Sequence, residues 1–302
     1  MKYIFLLLLS ACLESNCYTQ DLRAGSFNLR YDNPADSLNN WNYRKETVAK
    51  FILFHDYDIV GTQEGLEHML VYLKDNLPGY DRIGVGRDDG KKAGEHSAIF
   101  FKKDRFELLY KGDFWLSETP EKPLKGWDAV LPRICSWGKF KDKSSGKVFY
   151  FFNTHFDHIG VKARSESAHL ILDEIKQIAK GAPVILTGDF NVDQHSDSFK
   201  VFEQSPLVTD AFDIAPLVYG ANGTYNGFNT DVNSDERIDH IFVTKGIEVL
   251  KHGILTDIYH LDEDEVKTVI ERGDFPKEIS LEVQEGRLPS DHYPLLAVLR
   301  FK

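Results

Sequence analysis

The 302-residue chain carries 36 Lys and Arg against 47 Asp and Glu, a formal net charge of −11, with 42% hydrophobic and 13% aromatic residues. That is enough apolar material for a sizeable core, arranged as one large domain or two small ones. The acidic balance argues against long polyanion grooves, because sequence-independent nucleic-acid binding draws its strength from Lys and Arg meeting phosphates.

The first residues read as an address. Lys2 precedes the apolar run Tyr3 to Leu9, and small residues follow, as in a secretory signal. The run is too short to cross a bilayer as a helix. Two processing sites compete. Leu9 to Cys12 (LSAC) has the form of a bacterial lipobox, in which Cys12 becomes an acylated N-terminus; Cys17 to Thr19 is a looser small-x-small site. The lipobox is the better pattern. On either reading residues 1–19 are a leader and the mature chain is exported, to the periplasm or to an outer-membrane lipid anchor at Cys12. Two of the three cysteines fall in this leader, which excludes a disulfide framework and leaves Cys135 as a small buried hydrophobe.

After the leader, strands and helices mix with no Pro-, Gly- or Ser-rich linker, so residues 20–302 read as a single domain. Asp21 to Tyr31 alternates and predicts a strand, followed by a polar loop, Asp32 to Asn42. Tyr43 to Asp56 is an amphipathic helix, Asp58 to Glu64 a short buried strand, and Leu66 to Leu77 a second helix. Strands then crowd together at Tyr80 to Arg87, His96 to Lys102, Phe106 to Leu116, Arg133 to Lys141 and Lys147 to His158. The longest helix is Ala163 to Lys180, and the strand Val184 to Asn191 follows it. Later strands are Arg237 to Thr244, Glu248 to Asp257 and Pro294 to Phe301. An acidic segment, residues 259–286, looks inserted, with a short helix expected around Glu263 to Arg272. Many strands with few helices predict two packed sheets with helices on the outer faces.

Polar residues recur where the apolar runs end. The stretch VILTGDFNVD places Asp189, Asn191 and Asp193 at alternate positions after a buried run, so Asp189 and Asn191 share a face. Asn28, Glu64 and His155 close other runs, Asp239 opens one, and Asp291 and His292 precede the last. In a two-sheet sandwich such residues meet at one rim. Buried carboxylates need compensation, and oxygen donors without Cys point to Mg²⁺, with Mn²⁺ as the alternative, rather than zinc.

The blocks SFNLR, GTQE, NTHFDH, LTGDFN, RIDHIFV and SDHYP, taken in this order, resemble the endonuclease/exonuclease/phosphatase superfamily over nearly the whole mature chain. The resemblance implies a four-layer α/β sandwich of mixed, mostly antiparallel sheets with one catalytic rim, and hydrolysis of phosphate esters by direct attack of water. It implies metal contacts from Glu64, Asn28 and Asp291. It implies a catalytic set of His292 oriented by Asp239, of Asp189 and Asn191 holding water and a phosphate oxygen, and of His155 partnered by Glu95. Arg133, in LPRICSW, matches a phosphate-binding position more loosely. His158 is a candidate pocket residue, and the loop residues Trp41 and Trp127 are candidates to stack on a sugar or base.

Each of these has a plainer alternative: Glu64 as a helix cap, Asp189 and Asn191 as a turn, Asp239 in a surface ion pair with Arg237, the tryptophans as core. His240 neighbours Asp239 but points to the other face of its strand, which assigns it to packing. Export, acidity and the lack of a Lys/Arg run favour a compact sugar, inositol or nucleotide phosphate as partner over extended nucleic acid, and a monomer is expected. An exported nuclease is the main rival. A lipid phosphodiesterase would call for an apolar docking loop. A non-catalytic surface lipoprotein would be expected to have lost one of Glu64, Asp189, Asn191, Asp239 or His292.

Overall fold

A computed structural model describes residues 21–220, 222–261, 268–270, 276, 278–279 and 281–302. The leader and its two processing sites therefore lie outside the described residues. Seven strands form one sheet in the order β10 (Val218–Tyr219), β12 (Ile247–Ile254), β15 (Leu295–Phe301), β1 (Leu22–Asn28), β2 (Ile59–Gly65), β4 (His96–Lys102) and β3 (Tyr80–Ile83). Six form a second, in the order β5 (Phe106–Trp115), β6 (Ile134–Asp142), β7 (Val148–His155), β8 (Val184–Asp189), β11 (Asp239–Thr244) and β9 (Val208–Asp210).

Alternation builds the sandwich. In β15 every second residue is buried, and β6 follows the same rhythm over most of its length. The inner faces meet in one core cluster, where Phe101, Phe106, Phe140 and Phe149 pack with Ile99, Ile185 and Ile241. On the outer face of the first sheet α1 (Trp41–Phe54) and α2 (Glu67–Asn76) cover Phe27, Val60 and Phe100. On the outer face of the second, α3 (Val161–Ala179) and α4 (Asp197–Glu203) cover Phe152, Leu186 and Phe242. The result is a four-layer α/β sandwich. Asp128 starts α3 by accepting the Lys162 and Ala163 N–H groups at 3.2 and 2.6 Å, a carboxylate placed at the positive end of the helix. Lys180, left-handed at φ 50°, and Gly181 end it.

The two sheets are also tied by polar side chains. Asn153 of β7 donates to the carbonyls of Thr62 (2.9 Å) and Ala98 (3.0 Å) in the facing sheet, and accepts from Gln63 Nε2 at 2.7 Å. Thr187 Oγ1 of β8 lies 3.1 Å from the same Asn153 oxygen.

Two departures from expectation stand out. Within the predicted helix Glu263 to Arg272, residues Thr268–Ile270 form a strand (β13) that pairs antiparallel with β14 (Leu281–Val283); the rest of that stretch lies outside the described residues. Between β8 and β11, where no element was expected, lie α4, β9, α5 (Ala211–Ile214) and β10. The start of α4 carries a legible signal, because Ser196 caps it by accepting the Phe199 N–H.

Candidate active site

Topology brings the polar strand ends together. β1 and β2 run parallel, β1 ending at Asn28 and β2 one residue past Glu64, with Asn28 opposite Gln63. β7 and β8 run parallel with His155 opposite Asp189, and antiparallel β11 starts with Asp239 opposite Asp189. His155, Asp189 and Asp239 thus stand on three neighbouring strands at one rim. β4 begins just after Glu95, and β15 just after the Asp291–His292 segment. A cavity of about 570 Å³ opens here, lined among others by Glu64, Glu95, Arg133, His155, His158, Asp189, Asn191, Asp291 and His292.

Glu64 reaches the cavity through a backbone irregularity. The β2–β4 register shifts between Thr62 and Gly65, and Glu64 sits at φ 61°. A left-handed non-glycine residue costs roughly 1–3 kcal/mol and persists only where its surroundings hold it. Here the Tyr31 N–H donates to Oε2 at 2.9 Å and Asn28 Nδ2 donates to Oε1 at 3.1 Å. Asn191, at φ 50°, repeats the device: its N–H donates to Asp189 Oδ1 at 2.9 Å, and its Nδ2 to the Phe156 carbonyl at 3.1 Å.

His292 is held through one ring nitrogen. Nδ1 lies 2.8 Å from Asp239 Oδ2, and Nε2 lies 3.8 Å from Asp189 Oδ2. A carboxylate accepts, so Nδ1 carries the proton and Nε2 faces the cluster. Burial opposes a charge on this imidazole, but Asp239 and then Asp189 outweigh it and hold its pKa well above the ordinary value. Asp189 is pushed up to about 7, by burial first and then by Asp239. His155 goes the other way: burial, then Arg133 and Arg87, hold it well below the usual value. Its Nε2 is 3.5 Å from Asp189 Oδ2 and its Nδ1 is 3.7 Å from Glu95 Oε2.

Glu64, Asp189 and His292 each offer a ligand atom, and the three atoms lie within 4.8 Å of one another. Two carboxylates this close together, one of them raised by burial and by a neighbouring carboxylate, suit a divalent cation. Of the carboxylates predicted to contact the metal, Glu64 belongs to this trio and Asp291 does not. Asn28 turns its amide nitrogen inward, donating to Glu64 and to Asp189 Oδ2 (2.9 Å), while its oxygen accepts the Arg30 N–H at 2.9 Å. Its amide nitrogen thus braces both carboxylates. Asp291 lines the cavity but is not in the trio; its Oδ2 lies 3.6 Å from Arg30 Nη1.

Glu95 is clamped from behind by Arg87, Nη1 and Nη2 donating at 2.7 and 2.8 Å. Arg133 and His158 form part of the cavity wall, as the sequence suggested. The tryptophans do not. Trp41 is 2% exposed, the first residue of α1, and packs edge-on against Tyr72 at 6.0 Å. Trp127 is outside the cavity lining. His240 packs as expected, its Nδ1 2.8 Å from Asp210 Oδ2 among Phe190, Phe199 and Phe242.

Sequence reasoning passed over Arg30, Tyr31, Leu131, Tyr225 and Ile238, which also line the cavity. Arg30 and Tyr31 directly follow Asn28, so their position was available. Tyr225 was not: it sits in an irregular segment, bridged to His292, with the two rings 5.2 Å apart and nearly perpendicular.

The model of the Endonuclease/Exonuclease/phosphatase family matches residues 25–292 of this chain. A solved structure of a family protein from Bacteroides thetaiotaomicron is 47% identical, with a TM-score of 0.85, covering 94% of this chain and 98% of that one. A mannosyl-6-phosphatase from the same organism is 48% identical, with a TM-score of 0.84, covering 93% of this chain and 100% of that one. An uncharacterized protein of Acanthamoeba polyphaga mimivirus is 28% identical over 242 residues, 72% of this chain and 84% of that protein. Of several other curated relatives the chain spans only 25% to 46%.

Proposed function

Because the chain belongs to the endonuclease/exonuclease/phosphatase family, we propose that it is a divalent-metal-dependent hydrolase of compact phosphate esters that acts outside the cytoplasm. The observation that carries this reading is the convergence of Glu64, Asp189 and His292 within 4.8 Å, with Asp239 bonded to His292 from behind.

Glu64 and Asp189 would hold Mg²⁺ or Mn²⁺ through their carboxylate oxygens, braced by Asn28, with His292 Nε2 beside the ion and left unligated. When bound, the ion supplies charge stabilisation on a phosphoryl oxygen, worth several kcal/mol. The rest falls to the chain's own groups. Asp239 keeps the His292 proton on Nδ1 and leaves Nε2 facing the cavity, where it can exchange a proton with water or a leaving oxygen. Asp189 and Asn191, locked to each other through the Asn191 N–H, orient the attacking water. His155, held neutral, contacts the phosphate as a hydrogen-bonding partner. Phosphoryl transfer needs chiefly positioning and electrostatics, so no nucleophilic Ser or Cys is called for.

A sugar, inositol or nucleotide phosphate is the substrate class. The 48% identical mannosyl-6-phosphatase, whose name specifies a small sugar phosphate, supports it, as does the net charge of −11. The leader pattern at Lys2 to Cys12 supports export and a lipid anchor at Cys12. The test is a panel of phosphate esters with Mg²⁺, with Mn²⁺ and with EDTA. Metal-dependent release of phosphate from small esters is expected. Turnover confined to DNA or RNA, falling steeply with salt, would replace this reading with an exported nuclease; turnover that survives EDTA would overturn the metal.

A further inference from the structure

One wall of the cavity is organised by a single carboxylate. Asp157 is 1% exposed and accepts four backbone N–H groups: Val130 at 3.2 Å, Leu131 at 3.4 Å, Ile159 at 3.0 Å and Gly160 at 2.7 Å. Arg133 Nε adds a fifth donor at 3.4 Å. The segment before β6 and the loop after β7 are thereby tied to each other. Two side chains from those segments meet as a result: Arg133 Nη2 lies 3.0 Å from His158 Nδ1.

That contact settles the state of His158. A guanidinium can only donate, so Nδ1 of His158 accepts and is unprotonated. The ring proton then resides on Nε2, and this exposed side chain lines the cavity as a donor. Arg133 itself is 3% exposed, and its Nη1 has no hydrogen-bond partner. A buried, incompletely paired guanidinium is costly to the fold. Water activation and metal binding, as assigned above, use neither residue. The arrangement needs a reason of another kind, and the chemistry offers one: a fixed positive charge and a fixed N–H donor beside the reaction centre.

We propose that Arg133 and His158, positioned by Asp157, recognise the additional non-bridging oxygen and negative charge of a terminal phosphate, and so select phosphomonoesters over phosphodiesters. This rests on the hydrolase reading and narrows its substrate. A monoester dianion gives both groups an oxygen to bind, with charge-assisted hydrogen bonds. A diester presents an uncharged ester oxygen bearing a carbon substituent in place of one of these oxygens, so one donor faces a weaker acceptor screened by an apolar group. Sites built to bond a polar group reject analogues that lack it far more strongly than apolar pockets reject a change in size.

The experiment compares p-nitrophenyl phosphate with bis(p-nitrophenyl) phosphate in Mg²⁺, for the parent chain and for His158→Ala, His158→Gln and His158→Asn. Because His158 is exposed, these variants should fold, which circular dichroism and the thermal midpoint check. The parent is expected to prefer the monoester. His158→Ala should lose at least tenfold more kcat/KM on the monoester than on the diester, and inhibition by inorganic phosphate should weaken by at least tenfold. A Gln amide can place an N–H near the position of Nε2, whereas Asn matches the Nδ1 side, so His158→Gln should recover more monoester activity than His158→Asn. Equal losses on both esters, or a parent that prefers the diester, overturn the selectivity and leave the hydrolase standing. No metal-dependent turnover of either ester overturns the hydrolase and the selectivity with it.

Discussion

Replacing Asn153 with Ala tests whether the polar tie between the sheets holds the active site in register. Asn153 is 0% exposed and makes four contacts across or along the interior. Removing its side chain leaves Thr187 Oγ1 with the Phe152 carbonyl at 3.2 Å, and Gln63 Nε2 with Ser26 Oγ at 3.1 Å. One Gln63 N–H and the Thr62 and Ala98 carbonyls lose a buried partner. At about 1–3 kcal/mol for a buried group left unsatisfied, discounted for the bonds that survive, the loss is about 2–4 kcal/mol. That is a large share of the roughly 5–15 kcal/mol that stabilises a typical domain. The consequence for catalysis is separate. Asn28 and Glu64 come from one sheet, His155, Asp189 and Asp239 from the other, so a change in the offset between sheets spreads the rim even while the chain stays folded. Urea unfolding should show a lower midpoint at unchanged slope, and kcat at 25 °C should fall at least tenfold in a sample shown to be folded. A midpoint shift worth under 1 kcal/mol together with unchanged kcat would refute the reasoning. Gly61→Ala probes the same contact by crowding, since a Cβ at Gly61 would collide with Thr187 Oγ1 and the Asn153 amide.

Other consequences follow from the same geometry. Glu64→Gln should abolish tight Mg²⁺ or Mn²⁺ binding in titration calorimetry and cost about 10³-fold in rate; metal binding at parental affinity would remove Glu64 from the ligand set. Asp239→Asn can turn an amide N–H toward His292 Nδ1 and so favour the wrong tautomer. It should lower kcat about 10²–10⁴-fold with KM little changed, and a purely structural Asp239 would instead shift the unfolding midpoint with kcat intact. His252 makes stability depend on acid. Burial lowers its pKa from 6.5 to about 4, with Arg237 and His240 adding to the effect and Asp210 opposing it. The unfolded chain takes up a proton below pH 6.5 that the folded one refuses until about pH 4, so stability is full above pH 6.5 and declines across that window, by about 3 kcal/mol in total. Neither ring nitrogen of His252 has a hydrogen-bond partner, so His252→Leu should flatten this part of the profile in urea melts at pH 7 and pH 5. An unchanged slope would reassign it to other groups.

The strands and the rim were legible because both leave marks at short range. Buried strands are apolar runs, and the polar residues that end them stand out against that background. The sequence reading therefore found the strand His96–Lys102 at its observed bounds and β1, β2, β7 and β8 within a few residues of theirs. What short range cannot show is which atom of a side chain faces inward. Asn28 reads as a metal contact, and only the structure shows its amide nitrogen turned to Glu64 and Asp189 while its oxygen accepts the Arg30 N–H. Nor can it show which strands neighbour one another, and it is the pairing of β8 with both β7 and β11 that sets Asp189 between His155 and Asp239. Trp41 was misread for a different reason. Asn40 caps α1 by accepting the Asn42 N–H at 3.0 Å, a signal present in NNWNYR. Given its weight, it puts Trp41 on the helix rather than in the preceding loop.

The two halves of the site are held by different means, and this bears on how one chemistry can serve different substrates. Asp189, His155 and Asp239 are placed by strand register, where moving one residue means slipping a strand and turning its apolar face outward. Arg133 and His158 are placed by Asp157 through backbone N–H groups of two loops, and loops tolerate exchange. The groups at the strand ends are therefore coupled to the stability of the whole sandwich, and the wall proposed to read the phosphate is coupled to one buried carboxylate. Substitutions in the wall can change which ester fits without disturbing the cluster at Glu64, whereas substitutions in the strands that improve fit must first survive their cost to folding.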